Sequence, residues 1–113
     1  FVTPEYNRSM PGGLKNAIDV GSRPSGKGVW SHKPAAVISV TPGALGAMAA
    51  NQALRQTLAG VNVATMPGPE AFIAQAGTLF DPDGRLTNDK TLDFLRKFVE
   101  AFGQWIERNA PQR

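Results

Sequence analysis

Residues 34–40 read PAAVISV, a run without a charge in which apolar side chains fall at odd and even positions alike. A strand with one solvated face alternates apolar and polar residues. A run that is apolar in both registers suits a strand buried on both faces, and such strands belong to parallel sheets covered by helices. That single requirement constrains what the flanking segments must supply: helices to cover both faces, and further strands on either side.

Those segments are legible. Phe1–Thr3 reads as the end of a strand and Leu14–Val20 as part of a helix, while residues 21–33, GSRPSGKGVWSHK, have the glycines and proline of a loop. After the central run, Ala44–Leu58 has helical spacing, with Leu54 and Leu58 one turn apart, Gly60 closing the helix and VNVATM (61–66) supplying a short strand. Towards the end, Leu92, Leu95, Val99, Phe102 and Ile106 recur at helical intervals, with Phe98 and Trp105 widening the stripe. Asp93, Lys97, Glu100 and Gln104 fall on the opposite side, and Asp93 precedes Lys97 in the favourable order for an ion pair. Thr87 is the expected N-cap of this helix, and Asp89 suits the positive end of its dipole.

Strand, helix, strand, helix, strand, helix is the alternation of an α/β domain with a doubly wound parallel sheet. Only three strands and three helices are visible, whereas open sheets of this kind usually hold five or six strands. Residues 1–113 are therefore expected to form the carboxyl-terminal part of one larger domain.

Charge and composition narrow the function. The 12 basic and 9 acidic residues are scattered, so no basic face for nucleic acid is expected despite the net charge of +3. The chain has no cysteine, which removes disulfides and thiolate metal sites. No apolar run is long enough to span a membrane and no charged-then-apolar leader opens the chain, so a cytoplasmic protein is expected.

Ligands of open α/β sheets bind beyond the carboxyl ends of the strands. Two stretches stand there. Pro4, Glu5, Tyr6 and Asn7 follow the first strand, and Thr41, Pro42 and Gly43 open TPGALG after the second. Each has a plain structural reading. The first is a turn, in which Pro fixes φ and Asn tolerates unusual backbone. The second is tight strand-to-helix packing that calls for Gly. Against these, Tyr6 offers a flat ring and Asn7 a donor–acceptor pair, as a planar heteroaromatic ligand with polar edges requires. The Gly-rich bend offers backbone N–H groups at a helix start to an electron-rich group.

Other motifs lead nowhere catalytic. GSRPSGKG (21–28) matches a phosphate-binding loop until Gly28 stands where Ser or Thr must hold magnesium, and it follows a helix instead of a strand. DPDG (81–84) lacks the later ligands of a calcium loop and reads as a turn. His32, the single histidine, reads as an exposed loop residue, so neither a histidine triad nor a zinc site is supported. Any chemistry then falls to a bound cofactor, with no catalytic side chain and no metal.

TPEYNRSMPGGLKNAIDVGSRP, KPAAVISVTPGALG, LRQTL, MPGPEAF and LFDPDGRLT, in this order, resemble the NAD(P)H-dependent FMN reductases, including bacterial quinone and chromate reductases. The resemblance runs over essentially the whole chain and implies a flavodoxin-like fold. It further implies that Pro4, Glu5, Tyr6 and Asn7 hold the isoalloxazine ring of FMN, with Thr41, Pro42 and Gly43 as a second wall. The activity implied is hydride transfer from NAD(P)H to FMN and on to a quinone or similar small-molecule acceptor, in a homodimer or homotetramer. Two departures stand out. Nothing in the chain corresponds to the family's Ser/Arg/Asn-rich phosphate loop, and Val20 stands where Trp is expected. The first motivates an alternative: a non-catalytic fragment or subunit module of the same fold that does not hold FMN by itself.

Overall fold

A computed structural model of the protein describes residues 1–111. Strand β1 (Val2–Thr3) leads to helix α1 (Gly12–Gly21), then to β2 (Pro34–Ala35) and β3 (Ile38–Val40). Helix α2 (Met48–Gly60) precedes β4 (Ala64–Thr65) and β5 (Ala71–Ile73), and helix α3 (Asp89–Asn109) follows a single 3-10 turn at Ala76–Thr78. All strand pairs are parallel: β1 and β5 flank β3, and β2 pairs with β4.

The expected strand over 34–40 is present but broken. Its pairing partners lie 30 residues on in β2, Pro34 with Ala64, and 33 residues on in β3, Ile38 with Ala71. The extra three residues bulge from the partner strand within Met66–Glu70. Pro67 and Pro69 lie in that bulge and lack the N–H that a ladder requires, so the ladder stops there and restarts in new register. The expected strand over 61–66 is correspondingly reduced to Ala64–Thr65, and β5 is an addition to the sequence reading.

The two-sided burial is as the run at 34–40 requires. Ala35 and Val37 face a cluster with Met10, Ile18, Leu54, Leu58 and Val63, supplied by α1, α2 and their flanks. Ala36 and the neighbouring Ile38 face the other cluster, built on Met66, Ala71 and Phe98 of α3. Odd residues thus meet one helical layer and even residues the other, the period of a pleated strand between two layers.

Helix α3 differs from expectation in its orientation. Phe98 is its buried centre, with Phe94, Ala101, Phe102 and Trp105 packed around it. Val99 is 63% exposed and Ile106 39%, so the apolar stripe expected through them is turned towards solvent, and Phe94 takes a place the periodicity assigned to Leu95 and Val99. Trp105 fixes the angle: its indole N–H donates to the Ala64 carbonyl at 2.7 Å, pinning the helix over the start of β4. The N-cap is Asn88, whose side-chain oxygen accepts from Thr91 N at 2.9 Å, one residue later than the expected Thr87. Asp89 lies in the first turn as expected. The Lys97–Asp93 pair forms at 2.8 Å on the exposed face, and its hydrogen bond and charge raise the Lys97 pKa.

Candidate functional site

The first bend grows from β1. Thr3 is buried and its hydroxyl donates to the Pro4 carbonyl at 2.8 Å, turning the chain as the strand ends. Tyr6 and Ser9 then exchange backbone hydrogen bonds at 2.9 and 3.1 Å, closing a two-residue tip at Asn7 and Arg8. Both tip residues have positive φ, 51° and 68°. Asn adopts this region readily, but Arg does so at a cost, so the surrounding contacts must hold the tip in shape. Tyr6 is 60% exposed, and Pro4 and Asn7 are exposed beside it.

The Glu5 side chain turns inward. Its carboxylate accepts from the backbone N–H of Ala50 at 2.9 Å, across 45 residues of sequence. Ala50 lies in the first turn of α2, where backbone donors lack intrahelical partners. Glu5 thus caps a helix in another part of the chain, and the helix start is already neutralised from within the protein. The Glu5 contact takes a donor of the first turn of α2 and leaves the N–H groups of Ala44 and Leu45, in the stretch before the helix, free. The helix expected from Ala44 begins only at Met48, because Gly46 and Ala47 have φ of +63° and +55° and cannot continue a right-handed helix.

The second bend, Thr41–Ala47, is held from below. The Ser39 hydroxyl, fully buried, donates to the Gly46 carbonyl at 2.7 Å, and the buried Asn51 amide donates to Ser39 Oγ at 3.2 Å and to the Ala71 carbonyl at 3.3 Å. Arg55 Nε donates to Asn51 Oδ1 at 2.8 Å, completing a chain of polar groups from α2 to the bend. At Gly46 a Cβ would lie 2.7 Å from Phe72 Cβ and 2.9 Å from its backbone carbonyl, so glycine is required by both φ and space. At Gly43 a Cβ would meet only Thr41 Oγ1, at 3.5 Å, and the surface above it is open.

The two bends are neighbours. β1 and β3 pair with Thr3 opposite Ser39, so Pro4–Asn7 and Thr41–Gly43 leave the sheet side by side at its carboxyl edge. A third loop, unrecognised in the sequence, lies against the second bend: Gln75 N donates to the Gly43 carbonyl at 2.9 Å and Ala76 N to the Thr41 carbonyl at 3.0 Å. Its signal was the carboxyl end of β5, a three-residue strand hidden behind a proline-rich bulge. Among the described residues, the backbone N–H groups of Asn7, Arg8, Ala44 and Leu45 donate to no protein acceptor. The edge therefore offers an exposed phenol ring, an amide side chain, a proline ring, an open glycine and several free backbone donors. This donor set suits a flat heteroaromatic ring whose polar edges carry carbonyl oxygens.

The remaining motifs lie elsewhere. GSRPSGKG borders a wide depression at the opposite, amino-terminal edge of the strands, lined in part by Ser22, Arg23, Trp30, Gly60 and Asn62. Helices α1 and α2 both end there, presenting carbonyl ends that disfavour an anion. Gly21 is explained by packing, since a Cβ there would lie 2.6 Å from the Trp30 indole nitrogen. DPDG is a turn: Asp81 Oδ1 accepts from Asp83 N and Arg85 N, and Gly84 has φ +80°. His32 is an exposed loop residue. No cluster of three or more metal-ligating side chains occurs among the described residues, and no helix among them is long and apolar enough to cross a membrane.

A parallel sheet covered on both faces, with its bends gathered at the carboxyl edge, is a flavodoxin-like α/β fold. The family model described as NADPH-dependent FMN reductase matches residues 1–78, and the chain belongs to that family. Among its relatives, a quinone reductase of Pseudomonas putida is 57% identical over 109 residues, covering 96% of this chain and 58% of the relative. A 2-hydroxy-1,4-benzoquinone reductase of a Burkholderia species is 41% identical over 106 residues, covering 94% of this chain and 58% of the relative. Among solved structures, FerB, a flavoenzyme NAD(P)H:(acceptor) oxidoreductase from Paracoccus denitrificans, superposes with a TM-score of 0.88 at 48% identity, covering 96% of this chain and 59% of FerB. The chain thus spans somewhat under two thirds of the length of these relatives.

Proposed function

We propose that residues 1–113 are part of a single flavodoxin-like domain of an FMN-dependent NAD(P)H oxidoreductase that passes reducing equivalents to a quinone or a similar small molecule. One observation carries this reading above the others: the Tyr6 bend and the Gly43 bend adjoin at the carboxyl edge, and Glu5 of the first is hydrogen-bonded to the start of α2, into which the second leads. FMN, when bound, supplies the chemistry, accepting a hydride from the nicotinamide and returning two electrons to the acceptor.

The protein's own part is orientation and electrostatics. Pro4, Tyr6 and Asn7 on one side and Thr41, Pro42 and Gly43 on the other hold the ring. The free N–H groups of Ala44 and Leu45 offer fixed donors to its polar edge, where negative charge grows on reduction. No side chain of the bends needs to act as nucleophile or base. Self-association as a homodimer or homotetramer belongs to this reading, and exposed apolar side chains such as Leu45 and Met48 support it.

A second reading is that the 113 residues are a flavodoxin-like module that does not hold FMN by itself. Its support is that the chain spans 58% of a quinone reductase relative and holds no Ser/Arg/Asn-rich loop of the kind the family resemblance implies for the FMN phosphate. Titration of FMN, followed by quenching of flavin fluorescence, separates the two. Micromolar binding together with NAD(P)H oxidation in the presence of a quinone supports the oxidoreductase. A colourless protein that takes up no FMN and oxidises no NAD(P)H overturns it.

A further inference from the structure

We infer that Glu5 is a positioning residue: its carboxylate does not meet the ligand but locks the two ligand-holding bends into one rigid frame by capping α2. This inference rests on the FMN reading above. The sequence places Glu5 between two exposed residues of a ligand-facing loop, Pro4 and Tyr6, yet its own carboxylate turns inward and takes the Ala50 N–H at 2.9 Å. A carboxylate on a first-turn N–H forms a charge-assisted hydrogen bond and also lies at the positive end of the helix dipole, so the contact is favoured twice over.

The backbone on both sides of the contact needs such a fastening. Asn7 and Arg8 at one end and Ala47 at the other are non-glycine residues at φ of 51°, 68° and 55°. Conformations of this kind persist where surrounding contacts over-determine them. The Ser39–Asn51 network fixes the Gly46 side of the second bend, and the Tyr6–Ser9 pair closes the first bend on itself. Neither of these reaches from one bend to the other. Glu5 reaches Ala50 in the first turn of α2, the helix that the second bend leads into, one residue before Asn51, so the buried network and the Glu5 contact act on the same turn of α2.

The consequence for binding is pre-organisation. Without the contact, a ligand that needs both bends must order them itself, and its affinity falls by that cost. The hydrogen bond needs an acceptor oxygen at the right reach and does not need the charge. Glu5→Gln keeps such an oxygen, Glu5→Asp withdraws it by one methylene, and Glu5→Ala removes it.

The test is FMN affinity and the near-ultraviolet and visible circular dichroism of bound FMN in wild type and these three variants, alongside amide hydrogen exchange at Ala50. Glu5→Ala and Glu5→Asp are expected to bind FMN about tenfold more weakly, with a changed flavin dichroism and faster Ala50 exchange. Glu5→Gln, which retains the fold-holding contact, is expected to stay within about threefold of wild type and to keep both signatures. Two results overturn the inference: Glu5→Ala binding FMN like wild type with an unchanged flavin spectrum, or Glu5→Gln binding as weakly as Glu5→Ala while Ala50 stays protected. The second would mean that the charge itself meets the ligand. If wild type takes up no FMN at all, the functional reading fails, and Ala50 exchange in Glu5→Gln against Glu5→Ala still decides whether the cap exists.

Discussion

At the scale of single residues, the second bend holds two glycines that look equivalent in TPGALG and are not. Gly46 is required by the fold: an L residue there meets a left-handed backbone and the Phe72 main chain at 2.9 Å. Gly46→Ala is expected to cost at least about 2 kcal/mol, read as a lower urea midpoint with unchanged slope. Gly43 is free of both constraints, so Gly43→Ala is expected to leave stability within about 0.5 kcal/mol of wild type. If the flavin ring lies against Gly43, the added methyl weakens FMN binding at the same time. A variant of full stability and full FMN affinity would remove Gly43 from the site. Asn51 belongs to the first kind. Its amide serves Ser39, Ala71 and Arg55 in a buried setting, and its loss strands the Arg55 Nε donor while a second Arg55 nitrogen, Nη2, already lacks a partner. Asn51→Ala is expected to destabilise by about 2–4 kcal/mol in chemical unfolding, more than its apolar volume alone explains.

At the scale of elements, what the sequence revealed depended on whether local rules governed the outcome. The doubly buried run at 34–40 follows from residue type, and Ala35, Val37, Ala36 and Ile38 divide between the two layers accordingly. The break within it follows from a bulge in a partner strand some 30 residues away, which no property of 34–40 encodes. The end of helix α2 is legible and its start lies four residues later than the periodicity gives, since Ala44 and Leu45 have helical propensity while Gly46 and Ala47 are left-handed, Gly46 against Ser39 and Phe72. The bends were found because they follow strands. The Glu5 cap was not, because a contact across 45 residues has no local signature. Helix α3 shows the limit of periodicity: the pattern gives the width of an apolar stripe but not which edge meets the sheet, and that is settled by the Trp105–Ala64 hydrogen bond. The packing gives a direct check. Phe98→Ala is expected to cost about 3–5 kcal/mol, whereas Val99→Asp, on the next residue but 63% exposed, is expected to cost under about 0.5 kcal/mol. Thermal unfolding of the two variants distinguishes this orientation from one centred on Val99.

At the scale of the whole molecule, β1 is one of the two edges of the three-stranded parallel sheet. β3 is flanked on both sides, but β1 pairs only with β3, and no strand among the described residues takes its other edge. Val2 on that strand is 71% exposed. An open edge with a bare apolar side chain is a template for another strand. The 113-residue chain is therefore expected to self-associate with rising concentration, as read by light scattering on a sizing column. A lysine on the edge is the means by which natural sheets prevent such pairing, so Val2→Lys is expected to shift the distribution towards monomer. The bends lie at the end of the strands and not along this edge, so the same variant is expected to keep the FMN affinity of wild type. The alternative contact is the outer face of α3, where Val99 and Ile106 are exposed two helical turns apart. If association runs through that face, Val2→Lys leaves it unchanged and Val99→Asp abolishes it. The pair of variants therefore separates association through strand addition from association through helix packing.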